Sequence, residues 1–155
     1  LPRCPNTWKN INAEKVIAEH GKGKKVALIG HFPFISRLKE QVGELTVIER
    51  RPRPGDLPAS AAKDIIPEAS VVAITGTTWI NHTLEELLGL CSPSAKVILL
   101  GPSTPLTPLL FDYGVDLLCG SVITNTEPVR RVVQEGGNFR QVHSAGVKLV
   151  TITNT

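Results

Sequence analysis

Two loops of this sequence carry polar groups that could hydrogen-bond a small ligand. Each loop follows an apolar, β-branched run and precedes a helical pattern, so in an open α/β sheet both would lie at the carboxyl ends of strands, where ligands bind. The candidate ligand-binding residues of the first loop are Thr75, Gly76, Thr77, Thr78 and Asn81, and those of the second are Gly101, Pro102, Ser103 and Thr104. Their hydroxyls, amide and free N–H groups at helix starts favour an anion.

The same side chains also fit a purely structural interpretation. Asn81 is a suitable N-cap for a helix through Leu87, and Ser103 or Thr104 could cap a helix at Leu106. Neither loop places a nucleophile beside a base, and the G-x-S-x-G elbow of hydrolases is missing from the sequence. Because two adjacent loops repeat the same chemistry, the sequence favours a ligand, and it predicts binding more clearly than a reaction.

A third candidate loop follows the first predicted strand and contains Gly30, His31 and Phe32. A dinucleotide site requires G-x-G-x-x-G, and this loop has a single glycine followed by Pro33, so the phosphate cradle is largely missing. Glu49 ends the second predicted strand, where an acidic residue would contact ribose hydroxyls. The alternative is that Glu49 ends its strand simply because its side chain reaches water.

Three residues near predicted strand ends could hold a divalent metal ion: His31, Glu49 and His82. No H-x-x-x-H spacing supports this site, and a solvated or capping histidine is the alternative. Three cysteines without C-x-x-C spacing argue against both a disulfide framework and a cysteine-based zinc site. They suit a reducing compartment, and we expect a cytoplasmic protein.

The apolar pattern predicts alternating strands and helices around these loops. The predicted strands are residues 24–30, 45–49, 71–75, 97–100, 116–119 and 146–152. The predicted helices are one capped by Asn10 or Asn12 and ending at Gly21, and others at about 34–42, 81–88, 106–110 and 129–133. The proline-rich segment 50–67 is predicted to be a connection with at most one helical turn. The expected fold is a Rossmann-like α/β domain: an open, mainly parallel sheet of about six strands with helices on both faces.

The composition limits which classes of protein this chain can belong to. The 155 residues predict a single domain, and 41% hydrophobic with 20% charged residues exclude a disordered chain. No apolar run approaches the roughly 18 residues of a membrane span. The net charge is +3, and residues 22–53 contain eight Lys or Arg against three Glu. Because the sequence has a single Tyr and this segment has only Phe32 and Phe34 as aromatic residues, a solvated basic face is favoured over nucleic-acid binding.

Four motifs resemble one prokaryotic family. They are Gly30-His31-Phe32-Pro33, Glu49-Arg50-Arg51-Pro52, Thr75-Gly76-Thr77-Thr78 with Asn81, Thr83 and Leu84, and Gly101-Pro102-Ser103-Thr104-Pro105. Together they resemble the family called the "putative heavy-metal chelation domain", over residues 12–137. The resemblance implies a Rossmann-like domain in a cytoplasmic protein of bacteria or archaea. It also implies a small preceding domain of the enolase amino-terminal kind, with a site in the cleft between the two. Heavy-metal chelation is itself an inference for that family.

This sequence departs from the family pattern at its start. Residues 1–23 are predicted to form only a lead-in and a helix, so the enolase-like domain is expected to be absent. The sequence contains no methionine, even at position 1. Two alternatives remain: an unusual start or processing of the chain, and upstream residues that belong to a longer parent protein.

Three hypotheses about function remain open. The favoured one is a binding domain for a small anionic ligand or metal chelate, with Thr77, Thr78, Ser103 and Thr104 donating hydrogen bonds and Glu49 or His31 setting specificity. The second is an enzyme that uses a nucleotide or an S-adenosylmethionine-like cofactor. The third is a docking subunit or fragment whose site is completed by an enolase-like partner domain or by a second copy.

Overall fold

The computed structural model of the chain describes Lys9 and residues 11–154. The strands of its single sheet are β1 (Lys25–Ile29), β2 (Glu44–Glu49), β3 (Leu57–Pro58), β4 (Val71–Thr75), β5 (Lys96–Leu100), β6 (Leu117–Ile123) and β7 (Val147–Thr153). They are arranged in the order β3-β2-β1-β4-β5-β6-β7. Neighbouring strands are parallel except β6 and β7, which are antiparallel. The predicted open, mainly parallel sheet is therefore confirmed.

The sheet has seven strands rather than about six. The additional strand, β3, lies within the segment that the sequence predicted to be a connection. It pairs with the end of β2 through Ile48 opposite Leu57 and Glu49 opposite Pro58. An edge strand of two residues, one of them proline, is too short to produce an alternating pattern, so the sequence gives no signal for it.

The helices are mostly short. They are α1 (Ala13–Gly21), α2 (Ile35–Lys39), α3 (Ala62–Ile65), α4 (Thr77–Ile80), α5 (Leu84–Leu90), α6 (Thr126–Gln134) and α7 (Phe139–Gly146). The side chain of Asn12 caps α1 by accepting a hydrogen bond of 3.0 Å from the backbone N–H of Lys15. Asn10, the alternative cap, lies outside the described residues, as does Cys4. Among the described residues, none of the helices is long and apolar enough to cross a membrane.

Two predicted helix starts were wrong. The helix expected to begin at Asn81 or His82 begins at Leu84 as α5, and the separate short helix α4 precedes it. His82, with a positive φ of 61°, lies in the turn between the two helices. Thr83, not Asn81, occupies the N-cap position of α5. The helix expected at 106–110 is a 3₁₀-helix, Pro108–Tyr113, preceded by Thr107. Ser103 and Thr104 therefore do not cap it.

Alternate residues of the central strands pack on opposite faces of the sheet. In β1, Val26 and Leu28 belong to one buried cluster, with α1 and α2. Ala27 and Ile29 belong to the other, with α3 and α5. Because both faces of β1 are buried, the strand is a nearly continuous apolar run, as expected for a parallel sheet between two helical layers. This packing fixes the strand ends from which the polar loops extend.

Candidate functional site

The strand order reverses between β1 and β4, since β2 and β3 add on one side of β1 and the remaining strands on the other. In open α/β sheets, ligands bind in the crevice that such a reversal leaves at the carboxyl ends of the strands. A cleft of about 660 Å³ opens at this edge, lined by the ends of β1, β2 and β4 and by α3 and α5. This volume is typical of a small-molecule site.

The structure brings most of the predicted ligand-binding residues together in this cleft. Those that line it are Gly30, His31, Phe32, Glu49, Thr75, Thr77, Thr78 and Asn81. Residues that the sequence analysis did not select, Lys63 and Glu86 among them, complete the lining. They lie on α3 and α5, whose polar surface residues resemble those of any solvent-exposed helix, so no sequence signal could distinguish them.

Gly76 and the second polar loop lie behind the cleft rather than in its lining. The backbone N–H of Gly76 donates to the carbonyl oxygen of Leu100 at 2.7 Å. A Cβ on Gly76 would lie 2.6 Å from the backbone nitrogen of Thr104. Thr104 itself is only 6% exposed, and its hydroxyl has no hydrogen-bond partner within the described chain. The second loop therefore supports the first, and its residues Gly101, Pro102 and Ser103 do not line the cleft.

The hydroxyl groups of the first loop are not equivalent. The Thr78 hydroxyl donates to the backbone carbonyl of Thr75 at 2.7 Å, and Thr78 is 3% exposed, so its hydroxyl stabilises the turn. The Thr75 and Thr77 hydroxyls are hydrogen-bonded to each other at 3.1 Å, so one hydroxyl hydrogen of the pair remains for a ligand oxygen. Asn81 accepts a hydrogen bond of 2.6 Å from the Thr83 hydroxyl. The available hydroxyls in the cleft are therefore those of Thr75 and Thr77.

Glu49 connects the first and second strand ends. Its Oε2 accepts a hydrogen bond from the backbone N–H of His31 at 3.0 Å. Its Oε1 accepts from the backbone N–H groups of Arg50 at 2.7 Å and Arg51 at 3.4 Å. Because three backbone donors already bind this carboxylate, its first role is to hold the loop after β1 in place.

His31 is fixed by a residue that the sequence analysis missed. The Nδ1 atom of its ring lies 2.8 Å from Oδ2 of Asp56, whose side chain is only 4% exposed. Burial raises the pKa of Asp56, but hydrogen bonds from the Arg53 N–H and from His31 outweigh it, and the pKa lies below its ordinary value. The Pro54-Gly55 pair directly before Asp56 was a readable turn signal. The contact between Asp56 and His31 could not be predicted from the sequence, since the two residues are far apart along the chain.

The expected metal set of His31, Glu49 and His82 is not assembled. Among residues 11–154 and Lys9, no three His, Cys, Asp or Glu side chains are grouped to hold a metal ion. His82 lies in the turn between α4 and α5 and does not line the cleft. Cys91 and Cys119 are free thiols, and burial raises the pKa of each to about 11, which makes them poor metal ligands at neutral pH.

The charges of the cleft leave two cations available. Lys63 and Arg50 both line it and are exposed, and within the described residues neither is ion-paired with a carboxylate. The charge of Glu49 is already compensated by backbone N–H groups. Glu86 is the other acidic residue in the lining and is exposed on α5. Lys63 and Arg50 are therefore the groups of the lining that can attract an anionic ligand.

Comparisons with known proteins find relatives of this chain. An uncharacterised protein of Methanocaldococcus jannaschii is 28% identical over 122 residues, which are 75% of this chain and 47% of that protein. A structure of unknown function from Desulfitobacterium hafniense matches with a TM-score of 0.80 and 36% identity, over 93% of this chain and 58% of that one. One from Pyrococcus horikoshii shares the fold, with a TM-score of 0.83 and 24% identity, over 96% of this chain and 61% of that one.

Both of these structures are described as members of the DUF364 family. The chain spans about half the length of the curated relative that it matches. The profile of the same family, described as "Putative heavy-metal chelation", matches residues 12–152. This chain therefore belongs to the DUF364 family.

Proposed function

We propose that this domain binds a small anionic metal chelate in the cleft at the ends of β1, β2 and β4. The observation that carries the proposal is the grouping of the Thr75 and Thr77 hydroxyls, the His31 ring and the exposed cation of Lys63 around one cleft. Such groups bind the carboxylate or phosphate oxygens of a chelator by hydrogen bonds and charge. The family description supports a metal as part of that ligand.

The donor set fits a chelate better than a bare ion. A bare divalent ion requires several protein ligands around it, and the described residues gather no such group. A chelated metal already carries most of its ligands, so the protein must mainly recognise the organic shell. Hydroxyls 3.1 Å apart beside an exposed lysine meet that requirement.

A thermal-shift titration of metal-stripped protein tests the proposal. The probes are Ni²⁺ and Cu²⁺ as free ions, citrate and nitrilotriacetate alone, and the corresponding metal complexes. At 100 times its Kd a ligand stabilises by about 2.7 kcal/mol, which for a domain of this size raises the Tm by roughly 5–10 °C. We expect this shift for the complexes and much smaller shifts for the free metals and free chelators.

Variants locate the binding. Replacing both Thr75 and Thr77 by Val removes the paired hydroxyls at nearly constant volume and should abolish the shift. The matched control is Thr126→Val, an exposed threonine at the start of α6, outside the cleft. Absence of a shift with every complex, or an equal shift in the double variant, would contradict the proposal.

The same titration examines the second candidate, an enzyme with a nucleotide or S-adenosylmethionine-like cofactor. The observation in its favour is the position of Glu49 at the end of β2, next to the strand reversal. Against it, the Glu49 carboxylate is already bonded to backbone N–H groups. Stabilisation by ATP or S-adenosylmethionine that exceeds stabilisation by the metal complexes would favour the enzyme.

A third proposal concerns what covers the first loop. Trp79 and Ile80 follow Thr77 and Thr78 on α4 and are 52% and 63% exposed. We propose that an enolase-like partner domain or a second copy packs on this apolar pair in the cytoplasm. Sedimentation velocity over a concentration series tests for self-association, with Trp79→Ser as the variant that should weaken it. A monomer at all concentrations, together with no binding of an added enolase-like domain, would contradict this.

A further inference from the structure

His31 is held at its backbone and at its ring. Its backbone N–H donates to Glu49 at 3.0 Å, and its ring Nδ1 lies 2.8 Å from Oδ2 of Asp56. The His31 side chain is 24% exposed and lines the cleft, whereas the Asp56 side chain is 4% exposed. The ring is therefore anchored by a buried carboxylate, while part of the His31 side chain remains exposed in the cleft.

Asp56 is itself held by a tight turn. Its backbone N–H donates to the Arg53 carbonyl at 2.9 Å, and the Arg53 N–H donates back to Oδ2 of Asp56 at 3.0 Å. Pro54 and Gly55 occupy the central positions, with a φ of 94° at Gly55, as in a type II turn. The turn fixes the carboxylate before any ligand arrives, so little ordering is required on binding.

This arrangement determines which ring nitrogen is free. An ionised carboxylate has no proton to donate, so the hydrogen of the contact with Asp56 belongs to Nδ1 of His31. In the neutral ring, Nε2 then carries the lone pair. Nε2 lies on the opposite edge of the ring from Asp56, and within the described chain it has no hydrogen-bond partner.

We propose that Nε2 of His31 binds the metal of the chelate and that Asp56 is its positioning residue. This inference rests on the proposed function and adds to it the bond that makes the site sensitive to the metal. The Nε2 lone pair forms the bond to the metal, and the water molecule at the coordination position that the chelator does not fill leaves. Imidazole suits Cu²⁺, Ni²⁺ and Zn²⁺, and metal-binding histidines commonly donate their other N–H to a carboxylate.

The inference predicts selectivity for chelates with an open coordination position. Nitrilotriacetate leaves such positions on Ni²⁺ and Cu²⁺, whereas EDTA occupies nearly all of them. We expect the nitrilotriacetate complexes to bind more tightly by calorimetry, and His31→Gln to remove that preference. Asp56→Ala should weaken binding by about 10- to 100-fold. His143→Gln on α7 and the exposed Asp112→Ala are matched controls outside the cleft.

Two spectroscopic measurements separate this inference from the proposed function. Electron paramagnetic resonance of the bound Cu²⁺ nitrilotriacetate should show coupling to an imidazole nitrogen, which His31→Gln abolishes. In the ligand-free protein, ¹⁵N correlation spectra should show a protonated Nδ1 and an unprotonated Nε2 for His31, changed in Asp56→Ala. This second measurement needs no bound metal, and circular dichroism checks that each variant folds.

The outcomes are distinguishable. If chelates bind through Thr75 and Thr77 but His31→Gln changes neither affinity nor the copper spectrum, the inference is overturned and the proposed function stands. If the wild-type protein binds none of the complexes, both fail. A neutral His31 ring protonated at Nε2 instead of Nδ1 in the ligand-free protein would also overturn the inference, because Nε2 would then have no lone pair for a metal.

Discussion

Replacing Gly76 by Ala should destabilise the protein by forcing its two polar loops apart. The added Cβ would lie 2.6 Å from the backbone nitrogen of Thr104 and 2.8 Å from the carbonyl carbon of Ser103. Both neighbours are backbone atoms, so neither can rotate away. The φ of Gly76 is −59°, a conformation that alanine adopts freely, and the effect is therefore purely steric.

The magnitude follows from two opposing terms. Overpacking in a tight interior typically costs about 1–3 kcal/mol, while Gly→Ala at a permissive φ stabilises by about 0.4–1 kcal/mol through the unfolded chain. The net expectation is a loss of about 1–2 kcal/mol, which for a domain of this size lowers the Tm by roughly 2–8 °C.

Urea-induced unfolding followed by far-ultraviolet circular dichroism measures this change. The matched control is Gly89→Ala in α5, where nothing lies within 4 Å of the added Cβ. Because alanine is the better helix former, that variant should gain about 0.5–1 kcal/mol. If Gly76→Ala were as stable as Gly89→Ala, the packing of the second loop behind the first would be refuted.

Three further predictions concern Glu49, Asp56 and the two described cysteines. Glu49→Ala should cost about 1–3 kcal/mol in urea unfolding, because it leaves backbone N–H groups unpaired; the exposed Glu44→Ala should cost little, and equal costs would contradict the anchoring role. The pKa of Asp56 lies below its ordinary value of 3.8, so ionised Asp56 stabilises the folded state above that pH. This stabilisation is lost as the pH falls through the folded-state pKa. The stability difference between wild type and Asp56→Ala should shrink in urea titrations taken from pH 7 to pH 3, and a constant difference would be evidence against this linkage. Because burial raises the pKa of Cys91 and Cys119 to about 11, their thiolate fractions at pH 8 should be roughly 100-fold below that of an ordinary thiol. Peptide mapping after iodoacetamide treatment of the folded protein should show slow labelling of both cysteines. Labelling of the folded protein as fast as that of the protein unfolded in urea would contradict their burial.

The fold could be predicted because the apolar runs that indicate its strands are local features of the sequence. The runs that became β1, β4 and β5 are short, apolar and bounded by polar turns, and strands buried on both faces have this pattern. The pattern weakens towards the edges, where β3 pairs over two residues and β7 runs antiparallel to β6. Helix boundaries were less accurate, because the positive φ of His82 divides α4 from α5 where the apolar spacing appears continuous.

The candidate site was predicted in part. The sequence correctly indicated that the residues around His31, Glu49 and Thr77 meet at one edge, because the carboxyl ends of parallel strands lie on the same side of a sheet. It did not show that the loop at Ser103 supports this edge from behind. Sequence spacing does not indicate which of two neighbouring loops faces a cleft, since that depends on how the helices cover the sheet.

The sequence by itself determined the chemistry available at the edge of the sheet: hydroxyls, one imidazole and a carboxylate at the ends of apolar strands. Only the tertiary structure decided what each group does. It bonds Glu49 to backbone N–H groups, buries the Thr78 hydroxyl against its own turn, and brings Asp56 to the ring of His31. The physical reason is that a residue type fixes which hydrogen bonds are possible, whereas packing between distant segments decides which are already made and which remain for a ligand.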